Sequence, residues 1–310
     1  MATTTQAPSA AVAASNVSEI FLQRVFHYDP SIAFAVAAIA AFAAVTIAAL
    51  VLTCKYGGKF MYIVFGTGCA EVLGYTMRVT AAQDASLGPY IGSSFFLLVS
   101  PIALALVNYL VIARLLHQVD KPVWMFRTLQ PQQIARFFVT SDFVCFFLQA
   151  SGGGLLAVTN PSVNNIGIAI VLVGLAVQLI FFTGFTWITY RVATQDEYLL
   201  KFVPAVRPVF VGLAITIFFL YVRNVYRVVE FASGNSSYVD DNEWTFGVFE
   251  TLPIFLAFVT YLTFHFGRLL DCNEAQPRWI EQLEAARQQE GEMKSKSNSD
   301  DPEKKPFSSA

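Results

Sequence analysis

Glu71 and Arg78 stand inside one apolar stretch, residues 60–81, that is long enough to cross a membrane. Later apolar stretches are interrupted in the same way, by Asp142 and Gln149, by Gln178, by Arg223 with Arg227 and Glu230, and by Glu250. An ionised side chain at the bilayer centre costs about 2.5–3.5 kcal/mol on insertion scales, so such residues turn toward protein or water. Three kinds of chemistry are open to this set. Guanidiniums and carboxylates can lock helices together as ion pairs. They can instead receive the charged head of an amphipathic ligand, or the carboxylates can carry protons.

Residues i, i+4 and i+7 share one face of a helix. In the second apolar stretch that face carries Glu71, Tyr75 and Arg78, and in the fourth it carries Asp142 and Gln149, followed by Gly152-Gly153-Gly154. In the sixth it carries Arg223, Tyr226, Arg227 and Glu230. The polar groups form stripes, as expected if each helix turns one wet face inward. At about 1.5 Å per residue, Glu71, Gln149 and Gln178 fall near mid-membrane. Arg78, Arg223, Arg227, Glu230 and Glu250 fall in the outer half, and Asp142 in the inner third. The expectation is a polar cavity in the outer half with Asp142 below its floor. The acids Glu71, Asp142, Glu230 and Glu250 nearly balance Arg78, Arg223 and Arg227. The plainer alternative is a set of salt bridges that fix helix register. Arg227 and Glu230 lie close enough to the interface to snorkel.

The elements that must hold these residues are legible from hydropathy. Seven apolar runs occur at 31–53, 60–81, 90–116, 134–158, 166–190, 208–230 and 244–270. They are too long and too uniformly apolar for the alternating 9–11-residue strands of a membrane barrel. The 310 residues are 55% hydrophobic and 14% charged, well below the roughly 25% charged residues of soluble domains. The expected fold is an all-α integral membrane protein, a seven-helix bundle over 31–270. An N-terminal segment 1–30 precedes it and a charged, largely disordered tail 271–310 follows. No basic patch suggests nucleic acid.

Lys and Arg concentrate in alternate connections: Lys55 and Lys59, then Arg114, Lys121, Arg127 and Arg136, then Arg191, Lys201 and Arg207. Connections 82–89, 159–165 and 231–243 carry none. The positive-inside rule then puts the N-terminus outside and the C-terminus in the cytosol. Sequons at Asn16 and Asn235 fall on the expected outer side and are candidate glycosylation sites; Asn160 is disqualified by Pro161. Cys54, Cys69, Cys145 and Cys272 all fall in helices or on the cytosolic side, so no structural disulfide is expected. The first 30 residues lack the pattern of a cleavable signal peptide. In the tail, 277–289 is expected to form a short helix with Trp279, Ile280 and Leu283 on one face, lying on the membrane surface or solvated. The Gly152-Gly153-Gly154 run is read as a hinge, an access gap or a helix end, and Pro101 and Pro253 as kinks.

Several functions lack their signatures. There is no G-x-x-x-x-G-K-[ST] loop. His27, His117 and His265 are scattered, with His265 read as lying within the last helix, so no zinc hydrolase set and no metal site is expected. The last helix has no Lys for a Schiff base, and neither D-R-Y nor N-P-x-x-Y occurs. No cofactor and no enzymatic activity is expected.

Glu71-x-x-Gly74-Tyr75-x-x-Arg78 resembles the second-helix signature of the fungal RTA-like family, the lipid-translocating exporters. Pro101, Ala103, Tyr109 and Arg114 resemble its third helix, with Ser100 and Ala113 in place of the common Ala and Gly. Asp142, Gln149 and the three glycines resemble its fourth, and Gly167, Gly174 and Gln178 its fifth. Arg223-x-x-Tyr226-Arg227-x-x-Glu230 resembles its sixth and Glu250 its seventh. The resemblance implies seven helices, a plasma-membrane location and export or flipping of sphingoid bases or lipid-like toxic compounds, with resistance as the outcome. The partners it implies are membrane lipids or amphipathic small molecules. A seven-helix lipid sensor and an intramembrane lipid-modifying enzyme are the alternatives.

Overall fold

The computed structural model describes residues 30–84, 86–119, 131–156, 161–233, 242–270 and 278–299. The sequons at Asn16 and Asn235, Asn160, Cys272 and residues 300–310 lie outside the described residues. Seven helices are long and apolar enough to cross a membrane. They are α1 (Ile32–Tyr56), α2 (Tyr62–Asp84), α3 (Leu87–Val119), α4 (Pro131–Leu156), α5 (Pro161–Thr194), α6 (Arg207–Ser233) and α7 (Glu243–Leu269). An eighth helix, α8, spans Arg278–Ser299.

Successive helices pack side by side and α7 returns to α1, closing a ring in which α3 also reaches α6. The helix α3 is the most enclosed, with 61% of its most apolar window buried against 33% for α1 and α5. It is therefore the innermost helix of the bundle. Outward-facing side chains such as Ile47, Val51, Phe147 and Ile180 are apolar and exposed, as lipid contact requires. One end of the bundle collects the basic residues Lys55, Lys59, Arg136, Arg191, Lys201 and Arg207, and is called the basic end below.

Hydropathy locates the helices but underestimates α3 and α5, which run to 33 and 34 residues. Apolar composition marks the slab a helix crosses, while backbone hydrogen bonding carries it on through the polar flanks. The α1–α2 connection is the Gly57-Gly58 pair, at φ 74° and 90°. Only glycine adopts these values without strain. The three glycines of α4 do not end it. A Cβ on Gly152 would lie 2.7 Å from Val171 Cγ2 and 2.8 Å from the Gly167 carbonyl, so this glycine lets α4 and α5 touch. Gly153 and Gly154 face open space.

Pro253 does not act as a simple kink. A π turn, Gly247–Thr251, precedes it, and the helix resumes from Leu252. The α-helix then breaks at Phe264. His265 therefore sits at a break rather than within a helix: its Nδ1 accepts from the Arg268 amide at 3.2 Å and caps the final turn, Phe266–Leu269.

The tail departs from expectation in extent and in partner. Helix α8 continues to Ser299, well past residue 289 and into the run expected to be disordered. Its apolar face lies neither on a membrane surface nor in solvent. Trp279 and Leu283 are buried against the basic end of the bundle. The Trp279 indole N–H donates to the Leu270 carbonyl at 3.2 Å, and Arg287 donates to the Gln118 and Val119 carbonyls that end α3, at 2.6 and 2.8 Å. A cation on those terminal carbonyls also complements the helix dipole. Trp279→Ala is expected to cost about 3 kcal/mol, the cost of truncating a buried aromatic. It should free α8, seen as faster amide exchange across 278–299 with α1–α7 unchanged.

Candidate functional site

The inward stripe of α6 and the π turn of α7 bring four charged groups into one network. Arg223 donates through Nε and Nη2 to Glu250 Oε1 at 3.1 and 2.8 Å. Arg227 donates to both oxygens of the same carboxylate, at 3.0 and 2.7 Å, and to Glu230 at 3.0 Å. Spacing explains part of this. Arg227 and Glu230 are three apart on one helix face, and Arg223 lies one turn before Arg227. Glu250 reaches all of them from the neighbouring helix. Arg223 is fully buried and Glu250 is 3% exposed, so both charges have left solvent and depend on each other.

Glu71 lies beside this network but not in it. Its side chain is 2% exposed. Ser100 of α3 is its polar neighbour, and Glu250, Arg223 and Arg227 are within electrostatic reach. Among the described residues it makes no ion pair. Tyr75, one turn on, hydrogen-bonds Thr251 of the π turn at 2.6 Å and stacks on Phe42 of α1. Arg78 turns toward Glu243 at the start of α7, 3.9 Å away, and its guanidinium lies 4.5 Å over the Phe246 ring. The Glu243 carboxylate also accepts from the Ser31 amide at 3.0 and 3.1 Å. It ties α1, α2 and α7 together at the end opposite the basic one.

The remaining expected site residues stand apart. Gln149 donates to Gln178 at 2.8 Å across the α4–α5 contact. Asp142 accepts from Tyr109 of α3 at 2.8 Å and borders a cavity of about 90 Å³ lined by Ile102, Leu106 and Phe146 among others. The sequence reading expects a polar cavity in the outer half of the bundle with Asp142 below its floor. The charges of α6 and α7 pair with one another, and Gln149 with Gln178 and Asp142 with Tyr109 form two separate pairs.

Two groups were missed from the residues themselves. Glu243 sits in a segment read as a connection, and its charge lies only one residue outside the seventh apolar run. Asn108, Thr216 and Tyr261 form a second buried network: Asn108 Oδ1 accepts from Thr216 at 3.2 Å and from Tyr261 at 2.9 Å. The signal was present, since an Asn in the middle of an apolar run is as anomalous as a charge. Among the described residues no three His, Cys, Asp or Glu side chains gather as metal ligands would.

Comparison with known proteins identifies the family. A family model described as RTA1 like protein matches residues 63–273, a span that takes in every residue from Glu71 to Glu250. Protoporphyrin uptake protein 1 of Saccharomyces cerevisiae is 31% identical over 219 residues, covering 68% of this chain and 71% of that one. Probable lipid transporter atnI of Emericella nidulans is 24% identical over 261 residues, 78% of this chain and 67% of its own. Sphingoid long-chain base transporter RSB1 of S. cerevisiae is 25% identical over 241 residues, 65% and 62% respectively. No solved structure matches. With seven apolar helices and a family match over two thirds of its length, the chain is a multi-pass membrane protein that belongs to the RTA1-like family.

Proposed function

We propose that this protein translocates amphipathic lipids or lipid-like compounds whose head carries a positive charge, and that Glu71 receives that head. One observation carries the reading. The charged region between α2, α6 and α7 holds four carboxylates, Glu71, Glu230, Glu243 and Glu250, against three guanidiniums, Arg78, Arg223 and Arg227. Each guanidinium lies on a carboxylate other than Glu71. A buried carboxylate without a paired cation is costly unless a cation or proton visits it. An amine head is the complement, and the nearby arginines can take its hydroxyl or phosphate groups. The relatives named as a lipid transporter and a sphingoid long-chain base transporter support the same class of cargo.

In this reading the basic end faces the cytosol, Asn16 and Asn235 lie outside, and the plasma membrane is the site of action. The protein performs no covalent chemistry. The test is reconstitution: purified protein in vesicles, with movement of a fluorescent long-chain amine across the bilayer followed over time. Protein-dependent flux is the expected result. No flux for any amphiphile, with saturable binding retained, would replace translocation by lipid sensing.

A further inference from the structure

Helix α8 is bonded to three separate parts of the basic end. The Trp279 indole donates to the Leu270 carbonyl, just past α7, at 3.2 Å. Gln282 Oε1 accepts from the Ala205 amide, in the connection between α5 and α6, at 3.2 Å. Arg287 donates to the Gln118 and Val119 carbonyls where α3 ends. At 1.5 Å per residue, Trp279 and Arg287 stand about 12 Å apart along the helix. Neighbouring packed helices are about 8–10 Å apart, so α8 crosses the end of the bundle rather than lying along one helix. Its hold is nonetheless slight. Among its described side chains only Trp279 and Leu283 are buried, and beyond Arg287 the residues Gln288, Gln289, Glu292 and Met293 are exposed.

The connection that α8 grips is irregular. Three successive 3-10 turns, Asp196–Tyr198, Leu200–Phe202 and Pro204–Val206, join α5 to α6. Between the first two, Leu199 stands at φ 59°, the one non-glycine residue with a positive φ among the described residues. An L-residue in that region is strained, and the strain persists only where the surroundings hold it. Here the surroundings include α8. Leu199, Leu200, Val203 and Val206 are buried in the same apolar cluster as Trp279 and Leu283. A helix held by two apolar anchors thus closes on a segment under strain, and the two are built to come apart together.

We infer that α8 is a strap across the basic end. Docked, it fixes the spacing of the α3 end, the α5–α6 connection and the α7 end. Released, it lets the connection relax and those ends separate, so the docked state is the closed one. A lipid head that passes this end needs the ends apart, and docking therefore restrains transport. That consequence rests on the translocation proposed above, whereas the closing of the bundle end does not.

The test uses the full chain in phosphatidylcholine vesicles. Spin labels on His117→Cys and Phe202→Cys, both exposed, in a background lacking Cys54, Cys69, Cys145 and Cys272, report the distance from the α3 end to the α5–α6 connection. Trp279→Ala is expected to lengthen and broaden that distance and to speed amide exchange across 195–206 about tenfold, with the exchange of α1–α7 as in the parent. Flux of a long-chain amine should rise about threefold or more. Arg287→Gln, which removes only the bonds to α3, should shift each readout the same way by less, and it carries the test should Trp279→Ala fail to fold. Conversely, a reducible cross-link between Ala205→Cys and Gln282→Cys should lower flux below the parent rate, and dithiothreitol should restore it. An unchanged distance and unchanged exchange at 195–206, while 278–299 exchanges freely, overturns the inference and leaves α8 a docked appendage. A fall in flux in a folded Trp279→Ala protein also overturns it, since α8 would then support transport. A lengthened distance in a protein that moves no amphiphile upholds the strap and removes the translocation reading instead.

Discussion

Glu250→Gln is expected to lower stability by about 3–5 kcal/mol, the cost of removing one partner from a buried ion pair. The carboxylate accepts four hydrogen bonds from two guanidiniums. An amide keeps one oxygen and points N–H groups at cations that need acceptors. Arg227 retains Glu230, but Arg223 keeps only a 3.5 Å contact to the Asn224 side chain. The charge left bare is therefore that of Arg223, deep in the bundle. Removing it as well should recover much of the loss, so the double variant Arg223→Gln with Glu250→Gln is expected to be more stable than Glu250→Gln alone. Thermal denaturation in detergent, read by size-exclusion recovery, measures both. A single variant as stable as the parent would mean that water reaches this network and the pairing is dispensable.

Glu71→Gln should behave in the opposite way. No ion pair is broken and the side-chain volume is kept. Stability is expected to stay within about 0.5 kcal/mol of the parent. Flux of a long-chain amine should fall about tenfold or more, equivalent to at least ~1.4 kcal/mol of lost head-group interaction. The two variants would then separate the roles: Glu250 as the group that holds the bundle and Glu71 as the proposed receiver of cargo. A Glu71→Gln protein that is stable and transports at the parent rate would remove Glu71 from the path. One that fails to fold would make it a structural group.

The inward faces were legible because helical period is a local property. Arg223, Arg227 and Glu230 share a face by spacing alone, and their bonds follow from it. Partner choice was not legible, because it depends on which helices meet and at what height. Arg78 is seven residues from Glu71 on one face, yet it forms its ion pair with Glu243, which approaches from the far end of the chain. The exact pairing of the charges was hidden for a related reason. Charge balance indicates that groups can pair, but only packing decides which of them meet. The tail helix divides the same way: Trp279, Ile280 and Leu283 mark its apolar face, but nothing local says that the bundle rather than the bilayer covers it.

The π turn at Gly247–Thr251 amounts to one residue of extra chain wound into α7. One residue of α-helix is about 100° of rotation, so everything before the turn is set about a quarter-circle away from where an unbroken helix would leave it. Glu243, Thr245 and Phe246 face Arg78 and Tyr226 because of that offset, whereas Tyr261 and the residues after Pro253 keep their own register. The single inserted residue thus lets one helix serve two neighbours at once: its later part docks on Asn108 at the axis, and its first turns close the charged end.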